Sequence, residues 1–333
     1  MDLSTQLMQK SMTPGVECYT TSDCVVGTDT TFKVFAPIRG DKLPVVLFQS
    51  GYGSTVESHS FFLEKVAAEG FIIIAPSRKS DLRCGCCAVV GFVNFVSCAA
   101  LSVDGQHLGM ALDYAKNKGN KWMNRADLSK VTMMGFSMGG QEVISAQARY
   151  PEETKAVVIV SGSTFPVGYA IGWNCCLAPC TSGPTCCCFT KSPVGCCGME
   201  SAVRKWSIPS LFVTSENDMA KSGANRLYSI AGGDKTIITF KDSVLDLALP
   251  TTRATSIWKP FLCPLGFAGI KQHFALANEA NDVSHVPVTQ FLKKIFSSGG
   301  PMKNSDMYLD NVINSMAPVT CCSPPLLFHG CCC

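Results

Sequence analysis

Charge is scarce in this sequence. Asp, Glu, Lys and Arg make up 16% of its 333 residues, and 28 basic against 25 acidic side chains leave a formal charge of +3. Neither sign forms a long run, so nucleic acid finds no basic stripe, and small or neutral ligands are the expected partners. Long apolar runs are missing too: no window reaches the ~18 residues that a membrane-spanning helix needs. The nearest, AVVGFVNFVSCAALSV over 88–103, is interrupted by Asn94, Ser97 and Ser102 and reads as a buried or lid segment. The opening MDLSTQLMQKSMTPG lacks the apolar core of a signal peptide, and no Asn-x-Ser/Thr sequon occurs. Disorder is excluded from the other side, because 47% of the residues are hydrophobic, enough for a large core.

Cysteine, by contrast, is abundant. There are 20, many adjacent, as in Cys86-Cys87, Cys186-Cys187-Cys188 and Cys331-Cys332-Cys333. Neighbouring cysteines seldom bridge each other without strain, so any disulfides would join distant segments. The cysteine content suits a secreted or organellar protein, the missing signal and sequons a cytoplasmic one, and the compartment stays open. Two cysteine-rich insertions stand out at 84–103 and 166–200, the second in a lid-like position. A metal cluster is the alternative reading of that segment, but its spacings do not repeat as the paired CxxC of a zinc site does, and no metal is expected. The organisation expected is one domain over 15–300 and a Cys- and Pro-rich tail over 301–333.

Short β-branched runs occur at PVVLFQS (44–50), FIIIAPS (71–77), KVTMMG (130–135), AVVIVSG (156–162), SLFVTS (210–215) and TIITF (236–240). Helix-like stretches separate most of them: SFFLEKVAAEG stops at Gly70, SVDGQHLGMALDYAKNKG at Gly119, and QEVISAQARY before Pro151. Strands alternating with helices predict an α/β fold with a mostly parallel sheet, and TTFKVFAP (30–37) predicts one early antiparallel strand.

In this frame GFSMG puts Ser137 between the strand VTMM and a helix opening on MGG. A nucleophile elbow has this context, since the serine sits at strained φ/ψ and glycines two residues away, Gly135 and Gly139, keep side chains out of the turn. A serine hydroxyl needs an imidazole to take its proton and a carboxylate to orient that imidazole. In chain order Ser, acid, His, the acid is sought where the strand SLFVTS runs into the turn END; Asp218 is chosen, with Glu216 its competitor. Of the five histidines, His273, His285 and His329 follow Asp218. His285, before an amphipathic terminal helix, is the expected base. The oxyanion is expected to meet the main-chain N–H of Met138 and that of Tyr52, in the loop after PVVLFQS.

The segments PVVLFQSGYGSTVESHSFFLEKVAAEGFIIIAPS, LSKVTMMGFSMGGQEVISAQARYPEETKAVVIVSG and SLFVTSENDMA resemble chlorophyllases and the related dienelactone-hydrolase-like and cutinase-type polyester hydrolases. The resemblance implies the α/β-hydrolase fold. It implies Tyr52 as the aromatic residue of the oxyanion loop, Ser137 and Met138 in the elbow, and Asp218 as the acid. HFALANEANDVSHVPV is similar to the late histidine region of chlorophyllases. Phe136, Met138, Tyr52 and Trp173 are then the side chains expected at the substrate. Two functions remain in view: a serine carboxylic ester hydrolase working without cofactor on an apolar or bulky ester, a small-molecule or polymeric substrate, and a catalytically silent member of the fold that binds through its cysteine-rich surface.

Overall fold

A computed structural model describes residues 6–9, 11, 13–21, 30–51, 55–78, 105–117, 122–162, 195–216, 218, 221–240 and 284–297. All of them belong to the first of two units, Met1–Lys303 and Asn304–Cys333. The tail 301–333, the insertion 84–103 and residues 166–194 of the second insertion therefore lie outside the described residues.

Among the described residues nine strands form one sheet: β1 (Gln6–Gln9), β2 (Val16–Thr21), β3 (Thr30–Pro37), β4 (Leu43–Gln49), β5 (Ile72–Arg78), β6 (Ala126–Phe136), β7 (Thr154–Val160), β8 (Ser210–Ser215) and β9 (Lys235–Phe240). Their order is β1-β2-β3-β5-β4-β6-β7-β8-β9. The pairs from β5 through β4 to β9 are parallel, whereas β1, β2 and β3 join antiparallel at one end. All seven strands expected from the sequence are present, and β3 is antiparallel to both its neighbours. The sequence reading missed β1 and β2.

The helices are α1 (Ser60–Ala68), α2 (Gln106–Lys116), α3 (Gly139–Arg149), α4 (Gly195–Arg204) and α5 (Lys221–Ile230), followed by α6 over 284–297. Strand residues alternate between the two faces of the sheet. Val45 and Leu47 of β4, Ile72 and Ile74 of β5, Met133 of β6 and Phe212 of β8 share one core with Leu108, Val143, Val203 and Leu227 of helices α2 to α5. Phe48, turned the other way by the same alternation, meets His59 just before α1, with ring centroids 5.2 Å apart. Lys293 of α6 donates to Glu69, the residue that ends α1, which ties these two helices together. Helices thus cover the sheet on both faces, which is why β4 to β8 read as nearly continuous apolar runs rather than alternating ones. Each fully buried phenylalanine, such as Phe35, Phe48, Phe62 or Phe212, is worth roughly 1.5–3 kcal/mol of transfer free energy.

Helix α4 overlaps the end of the second expected insertion. The expected insertion runs to residue 200, yet Met199 and Val203 are buried in the main core and Trp206 follows them there. Met199, at the end of that segment, thus contributes to the domain's packing. Among the described residues no helix is long and apolar enough to cross a membrane.

Candidate active site

Strand order decides where a site can form. After β4 the chain crosses to β5 on one side, then returns to place β6 on the other side of β4. The crossovers leave in opposite directions, so a crevice opens beyond the carboxyl ends of β4 and β6, where open α/β sheets bind their ligands. Gly51 follows β4 at that edge and Ser137 follows β6.

Ser137 is half-buried with φ +53°, in the left-handed region. An L residue there crowds its Cβ against the next carbonyl, at roughly 1–2 kcal/mol. The surrounding main chain imposes this conformation: Ser137 N–H donates to the Val160 carbonyl at 2.9 Å, and Gly140 N–H to that of Ser137 at 3.0 Å. A Cβ on Gly135 would strike the main chain of Gly139, and one on Gly139 would strike the Gln49 carbonyl, so both glycines of GFSMG are required by close approach. A Cβ built on Gly51 would stand 3.0 Å from that of Ser137, so the loop leaving β4 passes against the serine. Tyr52, the next residue of that loop, lies outside the described residues, as does Trp173.

The side chains flanking Ser137 turn inward. Phe136 is buried and packs edge-on to His59 with centroids 5.2 Å apart, and Met138 is buried in the core at the start of α3. Helix α3 is tied to α2 from within. Glu142 Oε1 accepts the main-chain N–H of His107 at 3.2 Å and lies 3.4 Å from its Nδ1, both residues being almost fully buried.

Asp218 follows β8 on the same edge of the sheet as Ser137. Its N–H donates to the Ser215 carbonyl at 3.2 Å and its own carbonyl accepts from Lys221 N–H at 3.1 Å, a tight turn into α5. The carboxylate is half-buried and accepts the Thr214 hydroxyl on Oδ2 at 3.2 Å. Glu216, the competing acid, is exposed, and its N–H is used by the Phe240 carbonyl at 2.9 Å. His285 is half-buried in the first turn of α6, because that helix begins at residue 284, one residue before the histidine rather than after it. The expected preceding strand, near His273, lies outside the described residues, as does His329.

Two residues at this edge were not singled out from sequence. Ser161, at the end of β7, has φ +48° and donates its N–H to the Val213 carbonyl at 2.7 Å. It is a second left-handed serine, one strand over from Ser137. Thr214 is the other, buried one residue before the end of β8. The signal for Ser161 was present in the Ser-Gly pair after AVVIV, but a strand end followed by Ser-Gly has no unique conformation.

No protein-family profile matches the chain, and no curated protein matches it in sequence. In three dimensions the chain is similar to a thermophilic and thermostable carboxylesterase cloned from a metagenomic library, at 15% identity over 85% of this chain and 91% of that one, with a TM-score of 0.50. It is also similar to a dienelactone hydrolase from Anabaena variabilis, at 15% identity over 75% of this chain and 98% of that one, with a TM-score of 0.48. At such identity the carboxylesterase likeness speaks for architecture alone, and it agrees with the strand order and the covered faces described above: the chain has the α/β-hydrolase fold.

Proposed function

We propose that the chain is a serine carboxylic ester hydrolase with Ser137 as nucleophile, His285 as general base and Asp218 as the carboxylate that orients the imidazole. The fold hosts many chemistries, so the reading cannot rest on architecture. One observation carries it: Ser137 is held at φ +53° on a strand-to-helix turn at the switch point of the sheet, the backbone conformation that a nucleophile elbow requires.

In the proposed cycle the Ser137 oxygen attacks the ester carbonyl carbon while its proton passes to His285. The oxyanion is met by the N–H groups of Met138 and Tyr52. Collapse breaks the bond to the alkoxy group, which leaves as the alcohol with the proton from His285. Water, deprotonated by the same imidazole, then releases the acid and restores Ser137. Asp218 stays ionised throughout. The substrate proposed is an apolar or bulky ester, on the strength of the chlorophyllase- and polyester-hydrolase-like segments.

The test is labelling with a fluorophosphonate followed by peptide mapping, alongside p-nitrophenyl ester hydrolysis. Label is expected on Ser137 and lost in Ser137→Ala. His285→Ala and Asp218→Asn should lower kcat by orders of magnitude with little change in KM, whereas His273→Ala, His329→Ala and Glu216→Gln should be mild. No label on a folded protein would refute the enzyme and leave the silent binding protein. An inactive Glu216→Gln beside an active Asp218→Asn would exchange the two acids.

A further inference from the structure

Thr214 is 0% exposed, one residue before the end of β8 and next to the buried Val213. A valine would fill the same space with the same strand preference, so the chemical difference at this position is one hydroxyl group. A buried hydroxyl needs a partner, and this one donates to Oδ2 of Asp218 at 3.2 Å. The bond joins two residues four apart around a tight turn, whose main chain is already fixed by Asp218 N–H to Ser215 and Lys221 N–H to Asp218. Turn and hydroxyl together fix both ends of the acid: its backbone by two main-chain bonds, its carboxylate by one side chain. The strand beneath is held on both flanks, by Ser161 N–H on the Val213 carbonyl and by the pairing of Thr214 with Thr239.

We propose that Thr214 is a positioning residue for the acid: its hydroxyl sets the rotation of the Asp218 carboxylate and so the direction in which Oδ1 faces the imidazole. The inference rests on the triad reading given above. It gives Asp218 a hydrogen bond from the strand that carries it, whereas Glu216 is exposed.

The experiment compares Thr214→Val, which removes the hydroxyl at constant shape, with Thr214→Ser, which keeps it and removes a methyl. Thr132→Val in β6 serves as the control for the same exchange at another fully buried threonine. Thr214→Val is expected to lose about 10- to 100-fold in kcat with KM changed less than about threefold, and Thr214→Ser to recover most of it. The acid limb of the pH profile of kcat/KM should move to lower pH in Thr214→Val, because a carboxylate that swings off the imidazole stabilises its protonated form less. Lost packing would lower the plateau and leave that limb in place. If Thr214→Val does not fold, Thr214→Ala is the second hydroxyl-free variant, set against Thr214→Ser in the same way. Equal activity of the valine and serine variants, or an acid limb that stays put or rises, would overturn the proposal. Failure of the wild-type chain to label at Ser137 would remove the triad and this inference together. Labelling with a fully active Thr214→Val removes only this inference.

Discussion

Strain at Ser137 can be measured apart from any chemistry, by asking whether glycine is better there than alanine. Both Ser137→Gly and Ser137→Ala delete the hydroxyl, so their difference reports the backbone. At φ +53° the alanine variant keeps the left-handed penalty of about 1–2 kcal/mol, and the glycine variant loses it. Against this, glycine frees the unfolded chain at a cost of about 0.4–1 kcal/mol, and the missing half-buried methyl costs about 0.4 kcal/mol. The balance favours glycine by about 0.5 kcal/mol. At Ala148, inside α3, the same alanine-to-glycine step should go the other way by about 0.5–1 kcal/mol. The assay is urea unfolding of Ser137→Ala, Ser137→Gly, Ala148→Gly and wild type, compared at constant m-value. Both Ser137 variants should be inactive toward p-nitrophenyl esters. If Ser137→Gly falls below Ser137→Ala by as much as Ala148→Gly falls below wild type, the turn carries no strain and the main argument for the nucleophile fails.

Two further predictions concern stability alone. Thr132 is 0% exposed and its hydroxyl has no hydrogen-bond partner among the described residues, so Thr132→Val should raise stability by about 1 kcal/mol, read as a higher urea midpoint; a lower midpoint would mean the hydroxyl is satisfied. Glu200 of α4 accepts Arg226 Nε of α5 at 3.1 Å and a second guanidinium nitrogen at 2.9 Å, and this fork, against some burial, lowers its carboxyl pKa. A carboxyl lowered on folding contributes stability above its unfolded pKa and loses it as pH falls through the folded value. Arg226 is 47% exposed, so Glu200→Gln should cost at most about 1 kcal/mol at pH 7, with the gap to wild type closing as the pH drops below about 4. An equal gap at both pH values would show that the fork is not the cause.

What was legible in the sequence follows from how each element is stabilised. β8 reads from SLFVTS to the residue because all six positions are buried and the whole strand carries an apolar signal. β6 begins at Ala126, four residues before its expected start, because Leu128 and Ser129 are exposed and only VTMMGF is continuously buried. Its polar first half is held by main-chain pairing with β4 across an irregularity between Pro44 and Val45, which side-chain hydrophobicity does not report. β2, VECYTT, mixes buried and half-buried positions on the antiparallel side of the sheet, and β1 is four residues long, so neither offers the run or the clean alternation that marks a strand.

The candidate site divides along the same line. Ser137 was legible because a tight turn leaves its requirements in adjacent residues: Gly135 and Gly139 are needed within the five residues that bend. Asp218 was legible as a strand end, but its preference over Glu216 was not, since both sit in the same tripeptide. Only the fold distinguishes them, exposing one side chain and setting the other against Thr214. Thr132 and Thr214 make the point sharply. Both are fully buried threonines in parallel strands of one sheet, each directly after a valine, and a sequence assigns them the same role. One hydroxyl meets no partner among the described residues and the other meets a carboxylate four residues ahead, because β8 ends at Ser215 and turns where β6 at Thr132 still has four residues to run. Position relative to the carboxyl edge, which is set by register between distant segments, decides whether a buried threonine hydroxyl meets the Asp218 carboxylate.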